Sequence, residues 1–394
     1  MFDVLDPRNL IQTIVQPNMQ SLGDIRQRAQ TTLAQLTIAQ SDAPLQRIGY
    51  GSCGSVWADS SEFPDIDKCE TALVLKRADG LPDRSLENEA QIHKHLLSKI
   101  GAPQAQGIFT TAFRVNIPRH IQFLQPGTPS WTDILRRLPP QSVACQALVS
   151  ERILPLPRDS RRLVVEKFWN GPEDMRDSIV NDKRNEHCLI RLYLGRRRTG
   201  TRTGAGGEPR RSMLKSISLR NYPLHIDQVE ALGLPAHEYA SAMADSLAFL
   251  LWVAEIDACD VEFVLARPRP TDLPMSNPCH LGTRAFTSSV LGLHVLWMLD
   301  FDCCKKLPMS VDGVRLAAER FWRNDPFYPN PNAKCKEDVG LWELFKSRFL
   351  ETSGKVMASK DETIRRLPEQ FITRIVETIG VYSKGVPSAS GDTG

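Results

Sequence analysis

Three carboxylates crowd into six residues of the stretch IDACDVEFVLARP, Ile256 to Pro268: Asp257, Asp260 and Glu262. They lie between a long apolar, helix-like run, HEYASAMADSLAFLLWVAE, and an apolar segment, Phe263 to Ala266, that reads as a short buried strand. Burying an unpaired carboxylate is costly. These acids therefore either cap and salt-bridge the junction or form the floor of a site. In a site they could handle a proton or grip a guanidinium. A fourth acid, Asp300, ends the apolar strand TSSVLGLHVLWML and opens Asp300-Phe301-Asp302. A turn residue is the plain alternative there. Upstream, QRIGYGSCGSVWA spaces Gly49, Gly51, Gly54 and Val56 as G-x-G-x-x-G-x-V. Val56 and Trp57 continue as a strand, so the motif is strand–turn–strand, a form that lays backbone N–H groups over phosphates. A tight hairpin needing glycine for its turn gives the same pattern. Ala72 to Lys76 reads as a strand ending in lysine. The helix SLENEAQIHKHLLSKI then offers Glu89, with Glu87 competing, as a carboxylate partner for a cation.

The elements that position these residues divide the chain into regions. Residues 1–45 are expected to be a helical extension, with Ser21 as a cap. Residues 46–155 make a first, β-rich lobe, closed by the apolar strand in PQSVACQALVSERILPLP and a stiff, proline-punctuated link. Residues 156–383 make a larger helical lobe, and 384–394 a disordered tail. Within the second lobe, HCLIRLYLG is an alternating strand that runs into a basic insertion at 196–220. There Glu208 is the only acid, set against Arg196, Arg197, Arg198, Arg202, Arg210, Arg211, Lys215 and Arg220. This segment is either a solvated surface loop or a clamp for a nucleic-acid backbone.

The bulk numbers describe a folded, near-neutral chain. It has 394 residues, 49 Lys and Arg against 46 Asp and Glu, and a formal charge of +3. No run of about 20 apolar residues is present, so no membrane span is expected. The start MFDVLDPRNLIQ lacks a signal-peptide core, which points to the cytoplasm. Nine scattered cysteines, including the adjacent Cys303 and Cys304, read as reduced thiols. Without C-x-x-C or paired Cys/His spacing, no structural metal site is expected.

The order of glycine loop, Lys76, Glu89 and Asp300 resembles a protein kinase, where such a lysine–glutamate pair and aspartate hold ATP and magnesium. The resemblance implies an α+β, protein-kinase-like two-lobed fold, here with an arginine-rich insertion. It departs at the catalytic loop, where IDACDVEFVL replaces the His-Arg-Asp element. Alignment on the shared Glu and the following apolar pair puts Phe263 at the metal-binding Asn and puts phosphoryl transfer in doubt.

Five blocks, IGYGSCGSVWA, SLRNYPLHIDQ, IDACDVEFVLA, LWMLDFD and WRNDPFYPNP, together resemble a fungal family of unknown function, sometimes labelled zinc-finger, over residues 45–350. Some of its members are arginine-containing cyclodipeptide synthases. The resemblance implies that arginyl-tRNA and a second aminoacyl-tRNA are condensed to a cyclo(Arg-Xaa) diketopiperazine, with no cofactor beyond the charged tRNAs and no DNA or membrane partner. Clustered acids suit an arginyl guanidinium, and arginines suit tRNA phosphates. On this reading Asp257, Asp260, Glu262 and Asp300 supply the acids, and the glycine loop with Lys76 holds the terminal adenosine and its phosphate. Ser52, Cys53 and Ser55 are the nearest candidates for a covalent aminoacyl-enzyme. A divergent kinase using ATP and magnesium, and an ATP-binding pseudokinase, are the alternatives.

Overall fold

The computed structural model describes residues 42–59, 72–102, 114–198, 218–269 and 285–381. The expected N-terminal helix, Arg210, Arg211 and the C-terminal tail lie outside these residues.

The first half builds a five-stranded antiparallel sheet. β1 (Leu45–Gly51) and β2 (Gly54–Asp59) form a hairpin, and β3 (Leu73–Arg77) pairs with β2. Side chains alternate across β3, so Leu75 and Arg77 are buried on one face while Val74 and Lys76 share the other. Helix α1 (Leu86–Ile100) follows, capped by Ser85, whose hydroxyl accepts the Asn88 amide at 3.1 Å. It buries Leu86, Glu89, Ala90, His93 and Leu96. After β4 (Val115–Asn116) come β5 (His120–Leu124), α2 (Ser130–Arg137) and β6 (Ala147–Glu151). The sheet order is β1-β2-β3-β6-β5.

The second half mixes a sheet with most of the helices. After α3 (Arg158–Phe168) and α4 (Arg176–Asn181), β7 (Ile190–Tyr193) pairs in parallel with β8 (Tyr222–His225). Helices α5 (Ile226–Ala231) and α6 (Ala236–Ala248) lead into a π-helical turn, Phe249–Val253. Then β9 (Glu262–Ala266), β10 (Phe286–Ser288) and β11 (Gly292–Leu299) complete the order β10-β11-β9-β7-β8, with β4 alongside β11. Helices α7 (Val311–Arg323), α8 (Lys336–Met357), α9 (Glu362–Arg365) and α10 (Leu367–Glu377) close the chain. α8 packs on α6, and α10 on α7.

The main core lies among these helices and one face of the second sheet. Tyr239, Phe249, Phe345, Phe349 and Phe371 are fully buried there. Each such side chain contributes about 1.5–3 kcal/mol on transfer from water. The described chain is thus α+β. Among the described residues no helix is long and apolar enough to cross a membrane.

Candidate active site

A cleft is lined by β1, β2, β3 and β6 of the first sheet and by β7, β9 and β11 of the second. The hairpin that covers it is braced from behind. The Asp79 carboxylate accepts the Ser55 amide at 2.7 Å and the Ser55 hydroxyl at 2.6 Å, and the Leu81 amide donates to the Ser52 carbonyl at 2.7 Å. Gly54, at φ +142°, is required here: a Cβ would lie 1.9 Å from the Arg77 carbonyl oxygen. At Gly51 a Cβ would meet open space. Gly49 and Gly51 both line the cleft.

Lys76 stands at the centre. Its ammonium donates to Glu89 at 2.7 Å and to Asp300 at 2.8 Å, tying β3, α1 and the turn after β11 together. Two of its three donors are used. Burial disfavours the charge on Lys76, but the two carboxylates outweigh it and raise its pKa. Burial pushes Glu89 up to about 7 against the pull of Lys76. Burial also disfavours the Asp300 carboxylate, yet Lys76 holds it below the usual range. Glu89, not the competing Glu87, therefore partners the lysine.

The acidic stretch divides. Glu262, first residue of β9, faces the cleft and is ion-paired with Arg191 of β7. Burial raises its pKa to about 8; Arg191 opposes this, and Asp300 and Asp260 add to it. Phe263 points the other way, into the core against Phe327 and Tyr328. Glu262, and not Phe263, lines the cleft. Asp257 has no exposed side chain. One carboxylate oxygen accepts the amides of Lys305 at 2.9 Å and Cys259 at 3.2 Å, and Arg320 lies 3.6 Å from the other. It is a loop anchor and does not line the cleft. Asp260 binds the Arg84 guanidinium at 2.8 Å, outside the cleft lining.

The backbone around these acids is unusual. Glu255, Ala258, Asp260 and Asp300 all have positive φ, a conformation costing about 1–2 kcal/mol per non-glycine residue. Side chains hold it in place. The Asp260 amide donates to Asn324 Oδ1 and Asn324 Nδ2 donates to the Ala258 carbonyl, both at 2.8 Å. Asn88 of α1 donates to the carbonyls of Asp302 and Cys304 at 2.8 and 2.9 Å.

Of the hairpin nucleophile candidates, Ser52 is exposed at the cleft while Cys53 and Ser55 are engaged elsewhere. The Ser55 hydroxyl serves Asp79 and accepts from Trp57 Nε1 at 2.6 Å. Cys53 is buried against Glu89, and burial pushes its thiol up to about 12. Sequence reasoning passed over Arg191, His93 and Arg84. Arg191 sits in an alternating strand, where one cleft-facing cation leaves no signature. His93 falls four residues after Glu89 on the same helical face, a spacing that was its one signal. Its Nε2 meets the Pro118 carbonyl at 2.6 Å, and burial lowers its pKa to about 4.

The structure gives Arg197 and Arg198 a task other than clamping phosphate. Arg197 holds Glu230 at 2.7 Å and Asp338 at 2.6 Å. Arg198 binds Asp227 at 2.8 Å and lies over Phe168. The Arg196 carbonyl accepts the Ile226 amide. These residues fasten the strand end after β7 to α5 and α8.

A family described as "Zinc finger protein" matches residues 296–361, well short of half the chain. No curated protein and no solved structure matches. The matched stretch covers the end of β11, the 300–304 turn, α7 and α8; it holds Cys303, Cys304 and Cys335 and no histidine. Among the described residues, Asp260, Asp302 and Cys303 bring ligand atoms within 4.8 Å of one another. The Arg84 guanidinium already lies among them, 2.8 Å from Asp260, 3.1 Å from Asp302 and 2.6 Å from Cys303 Sγ. Three ligands gathered round a guanidinium do not fit a tetrahedral zinc centre.

Proposed function

We propose that the protein is an arginine-containing cyclodipeptide synthase that condenses arginyl-tRNA with a second aminoacyl-tRNA. The five sequence blocks support this reading. We further infer that the two sheets belong to the small and large lobes of a protein-kinase-like frame, with the basic segment inserted in the second.

The observation that carries the reading is Glu262, a buried cleft carboxyl with a pKa of about 8 beside Asp300 and Arg191. A proton acceptor matched to neutral pH is what aminolysis of an ester needs. The α-ammonium of one aminoacyl-tRNA loses a proton to Glu262. The free amine attacks the ester carbonyl of the other. The new C–N bond forms, the C–O bond to the ribose breaks, and the ribose oxygen leaves with a proton. A second, intramolecular aminolysis closes the ring and releases the second tRNA. The unused N–H of Lys76 points this chemistry to a developing oxyanion or the ribose oxygen. Asp300 supplies a carboxylate for the arginyl guanidinium.

A second reading, an ATP-dependent phosphotransferase, is favoured by the Lys76, Glu89 and Asp300 constellation under a glycine hairpin. Asp300 and Glu262 would then hold magnesium, which would neutralise charge on the transferring phosphoryl group. Expression in a heterologous host, with mass spectrometry of the medium, separates the two. A new arginine-containing diketopiperazine is expected. Phosphoryl transfer from ATP that vanishes in Asp300→Asn, with no diketopiperazine, overturns the first reading in favour of the second.

A further inference from the structure

The end of the cleft remote from Lys76 carries positive charge. In the β3–β6 register Lys76 lies opposite Leu148 and Leu73 opposite Glu151, and the Arg152 amide donates to the Ala72 carbonyl. Four residues of strand put Arg152 about 13 Å from the lysine. His187, Arg220 and Asn221 line the cleft at this same end. Arg152 Nη2 lies 3.4 Å from His187 Nδ1. Burial, then Arg152, Arg161 and Arg220, lower the His187 pKa to about 4, so the imidazole stays neutral among the cations. Behind them Arg161 is only 8% exposed, and its Nε and Nη1 have no hydrogen-bond partner. Buried donors left this way call for a partner, an ordered water or an anion. The nearby acids are Glu151, taken up by Arg269 at 2.7 Å and by Arg119, and Glu186 beside Arg161.

The rim is built on fixed backbone. The turn carrying Arg220 is fastened by the Leu219 amide, which donates to Asn185 Oδ1 at 2.8 Å, and Asn185 in turn donates to the Ile179 carbonyl. Between rim and lysine the walls are mostly apolar, with Val56, Val74 and Leu148 on one side and Leu189, Val264 and Leu299 on the other, and Ser150 and Glu151 of β6 also lining them. The cleft therefore runs from a basic rim, through an apolar slot, to the acids around Lys76.

We propose that the rim at Arg152 and Arg220, backed by the buried Arg161, is a phosphate site that takes the 5′-phosphodiester of the terminal adenosine of a charged tRNA. The base then fills the apolar slot, and the aminoacyl ester reaches Lys76 and Glu262. The identity of the nucleotide rests on the aminoacyl-tRNA reading; the anion site rests on the arginines. This moves the phosphate away from Lys76, where the sequence had put it. ATP held beneath the glycine hairpin would run the other way, with its phosphates at Lys76 and Asp300 and a neutral base at the rim.

The test compares AMP with adenosine by calorimetry, without magnesium, in the wild type, Arg220→Glu and Arg161→Met. AMP is expected to bind at least ten-fold more tightly than adenosine, and Arg220→Glu should erase that preference. Arg161→Met should erase most of it; if that variant fails to fold, the half-exposed Arg220 carries the test. A preference that survives Arg220→Glu, or appears only with magnesium, overturns the site. With charged tRNA, Arg220→Glu should raise KM at least ten-fold and leave kcat within two-fold. Product formation with KM and AMP preference both indifferent to Arg220 sinks this inference and leaves the synthase reading standing. An Arg220-dependent AMP preference without product from charged tRNA overturns the tRNA assignment and leaves the anion site.

Discussion

The glycine–lysine–glutamate set and the acidic stretch at 257–262 both stood out by residue type, yet the fold treats them differently. In the first, alternation along β3 and helical spacing along α1 fix where Lys76 and Glu89 point, and both reach the cleft. In the second, the backbone winds through positive φ at Ala258 and Asp260, and its three acids face three ways. Glu262 lines the cleft, Asp260 meets Arg84, and Asp257 anchors a loop. Regular elements turn spacing into direction. An irregular turn turns it into whatever the partners on other segments allow.

Removing Lys76 breaks the comparison most severely. Lys76→Met leaves the buried Glu89 beside the part-exposed Asp300 without their cation, a loss of about 2–3 kcal/mol once solvent screening at Asp300 is allowed for. Activity should fall about 100- to 1000-fold, the cost of losing one donor to the developing oxyanion. Chemical denaturation and product assays check both effects; near-wild-type turnover would remove Lys76 from the site.

The acids should then separate. Glu262→Gln keeps the shape and removes the base, so product formation should drop by about 10²–10⁴-fold in a folded protein. Asp257→Ala should instead lower stability by about 2–4 kcal/mol, because two amide hydrogen bonds to a charged group are lost. Asp257→Asn retains an oxygen for both amides and should stay active. Equal loss of activity in Asp257→Asn and Glu262→Gln would put both acids in the chemistry.

The pH profile sharpens the same point. A base acts in its ionised form, so kcat should rise with pH through about 8 and then level, following Glu262. For stability the sign is reversed. A carboxyl raised from 4.5 to about 8 favours folding fully below 4.5, and that contribution is lost as pH rises to 8. Glu262→Gln should flatten the kcat profile across this range; an unchanged profile assigns the ionisation elsewhere.

Smaller effects mark the edges of the site. Gly54→Ala should cost about 1–3 kcal/mol through its positive φ and the clash with Arg77, while Gly51→Ala should stay within about 0.5 kcal/mol. Arg197→Ala should cost about 1 kcal/mol at most, because its ion pairs are part-exposed. It should leave the KM for charged tRNA within two-fold, in contrast to Arg220→Glu. A large rise in KM for Arg197→Ala would return that arginine to the nucleic-acid interface.

Much of this was legible in the sequence. The strands read at 72–76 and 263–266 and the helix read from Ser85 follow from periodicity, and the Lys76–Glu89 pairing from the resemblance to a kinase lysine–glutamate pair. Partners distant in sequence were not legible. Nothing near Asp257 announces that the Lys305 amide will claim it, and nothing in RRR says that Arg197 will find Glu230 and Asp338. Charge density marked the whole basic segment 196–220, which includes Arg220, whereas Arg152, the other arginine at this end of the cleft, stands alone in the sequence. A single arginine at a strand end leaves no local pattern.

The most direct test is made with the purified protein, arginyl-tRNA and a mixture of other charged tRNAs, with ATP omitted. The account predicts an arginine-containing diketopiperazine, detected by mass, that disappears on RNase treatment and in Glu262→Gln. Product that survives RNase, or none from charged tRNA alongside ATP turnover that depends on Asp300, would contradict it.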